Sequence, residues 1–323
     1  MNYRLFPNLG WPVAEIGFGT WGMGGWTGSD DALSSAALDR AVTLGCNVFD
    51  TAWAYGDGHS ERLIGELLRR NRDRRLYIAT KVPPKNRRWP GRASTAVRYV
   101  FPPDHIIDYT RASLRNFGAD TIDLLQLHVW DDSWAAHDGW KRAVEQLKYS
   151  HAIRAFGISV NRWEPENVVK ALATGLVDAV QVVYNVFDQA PEDVLFPECR
   201  KRNVAILARV PFDEGSLTGT LTPESRWPEG DWRNNYFAPD KLAATLARVE
   251  PLRAQAEAWG MTLPELALRF ILSNPAVTTV IPGMRQPRHV EANLRVSEAG
   301  PLSAAQIAAL RAHRWDRVPD DCP

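Results

Sequence analysis

Asp50, Tyr55, Lys81 and His128 are the residues whose types and spacing could do chemistry together. Asp50 stops a short apolar run, Val48-Phe49, and a polar Gly-rich stretch carrying Tyr55 follows before a helix-like segment opens after Ser60. Lys81 ends the apolar run LYIATK, and His128 ends DLLQLH. An ammonium leaving an apolar strand needs a carboxylate partner, because an unpaired charge is costly to bury. Asp50, on the neighbouring strand, stands at the right level. A lysine held near Tyr55 favours the phenolate and lowers the tyrosine pKa from its ordinary value of about 10. That would make the phenol a usable acid near neutral pH. His128, one strand further, can hydrogen-bond a substrate carbonyl oxygen. Together the four would polarise a C=O bond and deliver a proton to its oxygen as charge develops there. The set lacks an electron source, so a hydride donor must bind beside it.

Strand ends can cooperate only in a fold that brings them to one place. The chain opens with a small hairpin (Tyr3–Phe6, a turn over 7–11, Pro12–Ile16). Short apolar runs then alternate with segments of helical periodicity. The runs cover 15–19, 47–50, 76–81, 122–128, 153–159, 179–184, 204–210 and 278–281. Helices are predicted over 31–44, 60–71, 104–117, 138–150, 164–174, 191–202, 240–259 with 263–272, and 287–296. A last helix, 303–313, has no strand after it. Ser60-Glu61, Pro103-Asp104 and Ala190-Pro191-Glu192 carry helix-start chemistry. Eight such units without a Pro/Ser-rich linker predict one α/β domain over 1–323, a (β/α)8 TIM barrel with an N-terminal β-hairpin. The competing open sheet would carry a Gly fingerprint, but Gly17-Phe18-Gly19 runs into Thr20 and Trp21. In a barrel the C-terminal strand ends share one mouth. Two connections too long to be turns, 82–103 and 211–239, follow strands and lie on that same face.

Composition excludes several classes of function. Lys+Arg and Asp+Glu both number 38, which leaves no net charge to draw the chain to nucleic acid or an anionic membrane. No apolar run approaches the ~20 residues needed to cross a bilayer, and the start lacks a secretory layout. Cys46, Cys199 and Cys322 are odd in number and form no CxxC, which points to a reducing cytoplasm and away from disulfides or structural zinc. The 7 histidines form no HxH or HExxH metal pair. Of the 13 tryptophans, Trp21, Trp26, Trp53, Trp89, Trp130 and Trp232 follow strands or sit in the long loops. They predict an aromatic-walled pocket for an apolar or ring-shaped small molecule.

The chain resembles the aldo-keto reductase superfamily over nearly its whole length. The resemblance is carried by GFGTW (17–21), DTAWAYGDGHSERLIGE (50–66), TK (80–81), DLLQLH (123–128), GISVN (157–161), QVVYN (181–185) and IPGMRQPRHVEAN (281–293). It implies Tyr55 as general acid/base, Lys81 and Asp50 as its tuners, and His128 as the group orienting a carbonyl substrate. It also implies a nicotinamide dinucleotide, NADPH with NADH as the alternative, bound without a Rossmann motif. Ser159, Asn161 and Gln181 would hold its carboxamide, and the loop at Gly283–Arg285 with the next helix start would hold the adenosine phosphate. That segment reads the same way directly: helix N–H groups, Arg285, Arg288 and His289 face one anion site, which favours NADPH. Two departures stand out. Arg209 occupies the place where relatives put an aromatic that stacks on the nicotinamide, though a guanidinium is planar and can also stack. The adenine positions read Ala292-Asn293, so only Asn293 matches, with Glu291 beside it. Two other functions compete: a Schiff-base lyase or aldolase using Lys81, and a nicotinamide-binding regulator with little turnover.

Overall fold

Successive residues of a strand point to opposite faces, and this alternation sorts the interior of the molecule into layers. The computed structural model describes residues 1–26 and 28–317; Cys322 lies outside them. Strands β1 (Tyr3–Phe6) and β2 (Trp11–Ala14) pair antiparallel, Tyr3 opposite Ala14. Eight further strands form one parallel sheet: β3 (Phe18–Gly19), β4 (Val48–Asp50), β5 (Tyr77–Val82), β6 (Ile122–Leu127), β7 (Ile153–Ser159), β8 (Ala179–Val183), β9 (Ala205–Arg209) and β10 (Thr279–Val280). They follow one another in chain order, and hydrogen bonds from Gly17 N to Val280 O (2.8 Å) and Gly19 N to Pro282 O (2.9 Å) close the first onto the last. The expected barrel is the fold.

The hairpin seals the lower end. Phe6 and Val13 pack with Val48, Tyr77, Ala79, Leu124, Ala155, Ala179, Ala205 and Leu207, an alternate set from the six strands β4 to β9, and Trp11 stacks on Tyr77 at 5.2 Å. The other set, Ile78, Leu125, Phe156, Val180 and Ile206, faces the helices. Inward positions one step further up are polar: Asp50, Lys81, Gln126, Ser159, Gln181 and Arg209. An apolar floor therefore carries a polar ring at the mouth.

The principal helices are α1 (Asp31–Thr43), α2 (His59–Arg70), α3 (Pro103–Phe117), α4 (Asp138–Tyr149), α5 (Val169–Leu172), α6 (Leu195–Lys201), α7 (Arg233–Tyr236), α8 (Pro239–Ala258), α9 (Leu263–Leu272), α10 (Pro287–Arg295) and α11 (Ala304–Arg311). Three expectations need correction. The helix expected over 164–174 shrinks to α5, because Asp132 of another loop accepts from Lys170 N (2.6 Å) and Ala171 N (2.9 Å) and fixes a late start. The helix expected over 191–202 breaks into a 3-10 turn (Ala190–Glu192) and α6, since Pro191 and Pro197 lack N–H groups. Ser60 does not cap α2; Gly58 does, at φ 84°, and Ser60 lies inside the helix, bonded to Thr20 Oγ1 (2.7 Å) and Thr51 Oγ1 (2.9 Å). The long connections are partly ordered, with 3-10 turns at Val97–Tyr99 and Asp213–Thr218 and with α7.

Helices α2 and α3 meet at Gly65, where a Cβ would stand 2.5 Å from Asn116 O and 2.9 Å from Phe117 O. An alanine in a helix interior usually gains up to ~1 kcal/mol over glycine, but a backbone carbonyl at this range cannot yield, and overpacking costs about 1–3 kcal/mol. The clash wins. Gly65→Ala is expected to lower stability by roughly 1–2 kcal/mol after that offset, read as a lower urea midpoint; an unchanged or higher midpoint would show the two helices free to separate.

Candidate active site

Lys81 is 1% exposed and Asp50 2%, so neither charge has water for company. Lys81 Nζ donates to Asp50 Oδ1 (2.6 Å), to Thr51 O (2.8 Å) and to Tyr55 Oη (3.4 Å), which uses its three protons. The other carboxylate oxygen accepts from Gln181 Nε2 (2.7 Å) and Gln126 Nε2 (3.3 Å). Burial alone would lower the Lys81 pKa, but Asp50 and Tyr55 together raise it, so the amine stays charged. A charged, fully engaged amine is no nucleophile, which disfavours the Schiff-base reading. Gln126 was not among the expected site residues. It lies two positions before His128 on the same inward face, and that alternation was the signal for it.

Tyr55 sits in a tight loop: Tyr55 N donates to Ala52 O (3.0 Å) and Ser60 N donates to Tyr55 O (3.2 Å). Gly56 follows at φ 67°, with Gly24 O 2.0 Å from where a Cβ would be, so the loop leans on the segment after β3. The phenol pKa moves up, not down. Burial raises it most, Lys81 pulls it back, Asp50 raises it again and Arg209 lowers it a little. The expected downward shift fails because burial outweighs the pull of Lys81, which Asp50 offsets in part. The resting phenol therefore keeps its proton.

His128, just past β6, lies edge-on to Tyr55 with ring centroids 5.7 Å apart. Burial, then the charges of Lys81 and Arg209, hold its pKa well below the ordinary value, so the imidazole is neutral at pH 7. Its Nδ1 is buried without a partner among the described residues.

Trp26 lies edge-on to Tyr55 (6.1 Å) and Trp89 to His128 (5.8 Å), and Trp21, 41% exposed, packs on Trp26 (5.1 Å). Trp53 is turned toward Tyr109 (4.7 Å) and Arg87 (5.1 Å). Trp232 packs on Tyr236 and Arg162. Trp130 is no pocket wall: it is 0% exposed, clamped between Trp134 (5.7 Å) and Trp140 (5.3 Å), with its N–H on Asp132.

The expected cofactor residues divide. Ser159 lies opposite Gln181 in the β7–β8 pairing, but Gln181 gives an N–H to Asp50. Asn161 also braces the loops, since its amide donates to Gly91 O (3.1 Å) and Glu164 Oε2 (2.7 Å) and accepts from Gly91 N (3.3 Å). Arg209 donates from Nη2 to Val160 O (3.0 Å) at the mouth. Gly283 is exposed, and α10 begins behind it with no side-chain cap at Gln286. Arg285 crosses Gly22, and His289 has its pKa lowered by burial, then by Arg288 and Arg285. Asn293 is buried on α10, while Glu291 is tied to Arg40 (2.8 Å). The loop after β9 is pinned at two carboxylates: Glu214 to Arg162, and Asp213 to Ser216, Tyr236 and Arg317. Val210, Asp213 and Glu214 there hold φ values of 57°, 42° and 55°, unfavourable for side-chain-bearing residues.

Among the described residues no group of three or more His, Cys, Asp or Glu is placed to hold a metal ion, and no helix is long and apolar enough to cross a membrane. The family model described as "Aldo/keto reductase family" matches residues 15–314. The chain is 29% identical over 300 residues to the aldo-keto reductase YhdN of Bacillus subtilis, covering 90% of this chain and 87% of that one. It is 26% identical to the NADH-specific methylglyoxal reductase of Escherichia coli, covering 93% and 94%. The solved glycerol dehydrogenase AKR11B4 of Gluconobacter oxydans superposes with a TM-score of 0.80 at 27% identity, covering 99% of this chain and 98% of that one.

Two outcomes follow from the charges. Lys81→Met leaves Asp50 buried without a cation and is expected to cost about 3–5 kcal/mol; adding Asp50→Asn should recover a large part, measured by chemical denaturation. Equal stability of the single and double variants would deny the pair its structural role. His128 is harder to protonate folded than unfolded, so its contribution is full above the unfolded pKa of about 6.5 and is lost as pH falls below it. His128→Gln should flatten the loss of stability between pH 6.5 and 5 (roughly, from the same reference value). His105, His289 and His313 shift in the same direction and remain in both proteins. Parallel pH curves for the two proteins would contradict the assignment.

Proposed function

Since this chain belongs to the aldo/keto reductase family, we propose that Tyr55 is the proton donor of its reaction and that Lys81, Asp50 and His128 serve it. The reaction is the family's: NAD(P)H-dependent interconversion of an aldehyde or ketone with its alcohol. When bound, NADPH or NADH supplies the hydride. The observation that carries the assignment of roles is the short relay from Tyr55 Oη to Lys81 Nζ (3.4 Å) to Asp50 (2.6 Å), beside a neutral His128.

Each residue has one task. Tyr55, protonated at rest, hydrogen-bonds the carbonyl oxygen and gives up its proton as negative charge grows there. Lys81 stabilises the phenolate that results, and because it is already fixed by Asp50 and Thr51 O it need not reorganise. Gln126 and Gln181 hold the far oxygen of Asp50, so the carboxylate keeps facing the lysine. His128, neutral, can give one N–H to the same carbonyl oxygen without adding a charge that would compete with Lys81.

The residues present fit a nicotinamide dinucleotide. The uncapped start of α10 with Arg285, Arg288 and His289 suits a phosphate, and Gly283 and Asn293 would complete that end. The additional phosphate of NADPH gives these cations more to bind than NADH does. Ser159, the free oxygen of Gln181 and Arg209 would take the nicotinamide end. Trp26 and Trp89, edge-on to Tyr55 and His128, support a substrate with an apolar or aromatic body. One relative is named for a carbonyl, methylglyoxal, and another for an alcohol, glycerol, the two sides of one interconversion.

Tyr55→Phe keeps the ring and removes the proton. It is expected to lower kcat for NADPH-dependent reduction of aromatic aldehydes by about 10²–10⁴ while NADPH binding, followed by fluorescence, stays unchanged. A variant with full turnover would refute the assignment of the donor.

A further inference from the structure

Two cations stand at the barrel mouth, and they are held differently. Lys81 is neutralised by Asp50 at 2.6 Å. Arg209, at the end of β9, has only the carbonyl of Val160 on its Nη2, and among the described residues no carboxylate forms an ion pair with it. Its Nε is shielded from water and has no partner. The acid nearest in effect, Glu214, is bound to Arg162, whose own charge opposes that of Arg209. Burial and then Arg162 bring the Arg209 pKa down to about 10, and Glu214, Tyr55 and Asp50 limit the fall, so it remains a cation at neutral pH. Tyr55 and His128 both feel this charge. Arg209 is thus a half-buried cation without a carboxylate ion pair among the described residues, at the end of β9 and within electrostatic reach of the atoms proposed to react.

We infer that Arg209 sets the redox poise of the bound cofactor, its charge favouring the reduced dinucleotide over the oxidised one. The inference rests on the proposal above that a nicotinamide dinucleotide occupies this mouth. An oxidised nicotinamide ring carries one positive charge; taking up a hydride, two electrons with one proton, makes it neutral. A fixed cation nearby raises the energy of the charged ring alone, and more so where water is excluded. The phosphates are the same in both forms, so contacts with Arg285, Arg288 and His289 cancel when the two affinities are divided. What remains in that ratio reports the surroundings of the ring. On the enzyme, this bias leans the equilibrium toward alcohol oxidation, because the hydride is held more firmly by the dinucleotide.

The test is a pair of titrations, NADPH and NADP+, monitored calorimetrically at pH 7 on the wild-type protein and on Arg209→Met and Arg209→Lys. Wild type should bind NADPH about tenfold or more tightly than NADP+, equivalent to about 30 mV for a two-electron couple. Arg209→Met should lose most of that ratio, and Arg209→Lys should keep it, because charge and not the guanidinium plane is responsible. A wild-type ratio near one overturns the inference before any variant is made. So does a ratio unchanged in Arg209→Met, or one lost equally in both variants, which would assign the effect to stacking. Failure of wild type to bind either dinucleotide would overturn the proposed function, and this inference with it.

Discussion

An ammonium inside a protein must be paired, and the mouth of this barrel is built around that requirement. Lys81 points into the interior from an apolar strand, and in that place only Asp50 makes its charge tolerable. Asp50 in turn has a second oxygen to satisfy, and Gln126 and Gln181 satisfy it from two other strands. Four strands are therefore tied through one carboxylate. The tie has an electrostatic effect as well as a mechanical one: burial holds the Tyr55 pKa up, and Asp50 offsets part of the downward pull of the charged Lys81. The phenol keeps its proton at rest, which is the behaviour the proposed acid needs.

Much of this was legible in the sequence, and the reasons differ by residue. Lys81 and Asp50 could be matched because each ends an apolar run on adjacent strands, and burial leaves such charges little alternative. The eight-unit alternation showed the barrel because buried parallel strands read as continuous apolar runs. Gln126 is harder to see because it lies inside its apolar run, where only the alternation back from His128 marks the inward face. The direction of the Tyr55 shift escaped for another reason: a sequence shows that Lys81 is near but not how deeply the phenol is buried. Trp130 has the composition of a pocket wall and the position of one, yet its ring turns inward to Trp134 and Trp140. Side-chain direction after a strand end depends on loop packing that no periodicity encodes. The short helix α5 is similar, since its start is fixed by Asp132, distant in the chain.

The two ends of the barrel show opposite uses of the same geometry. Below, the alternate positions are small or aliphatic apart from Tyr77, and the hairpin closes them off with Phe6, Val13 and Trp11. Above, the same faces turn polar, and their side chains are buried against one another. A strand that supplies Ala79 to the floor supplies Lys81 to the site, one alternation higher, and β8 does the same with Ala179 and Gln181. Stability and chemistry are thus stacked on common strands, so the floor fixes the level at which each functional group emerges.

Arg317 reaches back to Asp188 and Asp213 and donates to the Tyr236 hydroxyl. The loop it grips, with left-handed residues at Val210, Asp213 and Glu214, begins at Arg209. Arg317, past the end of α11, is thereby a tenon in the loop at the mouth, although it belongs to no strand of the barrel. A substitution at Arg317 would therefore loosen the loop at the mouth while every strand end stays as it is.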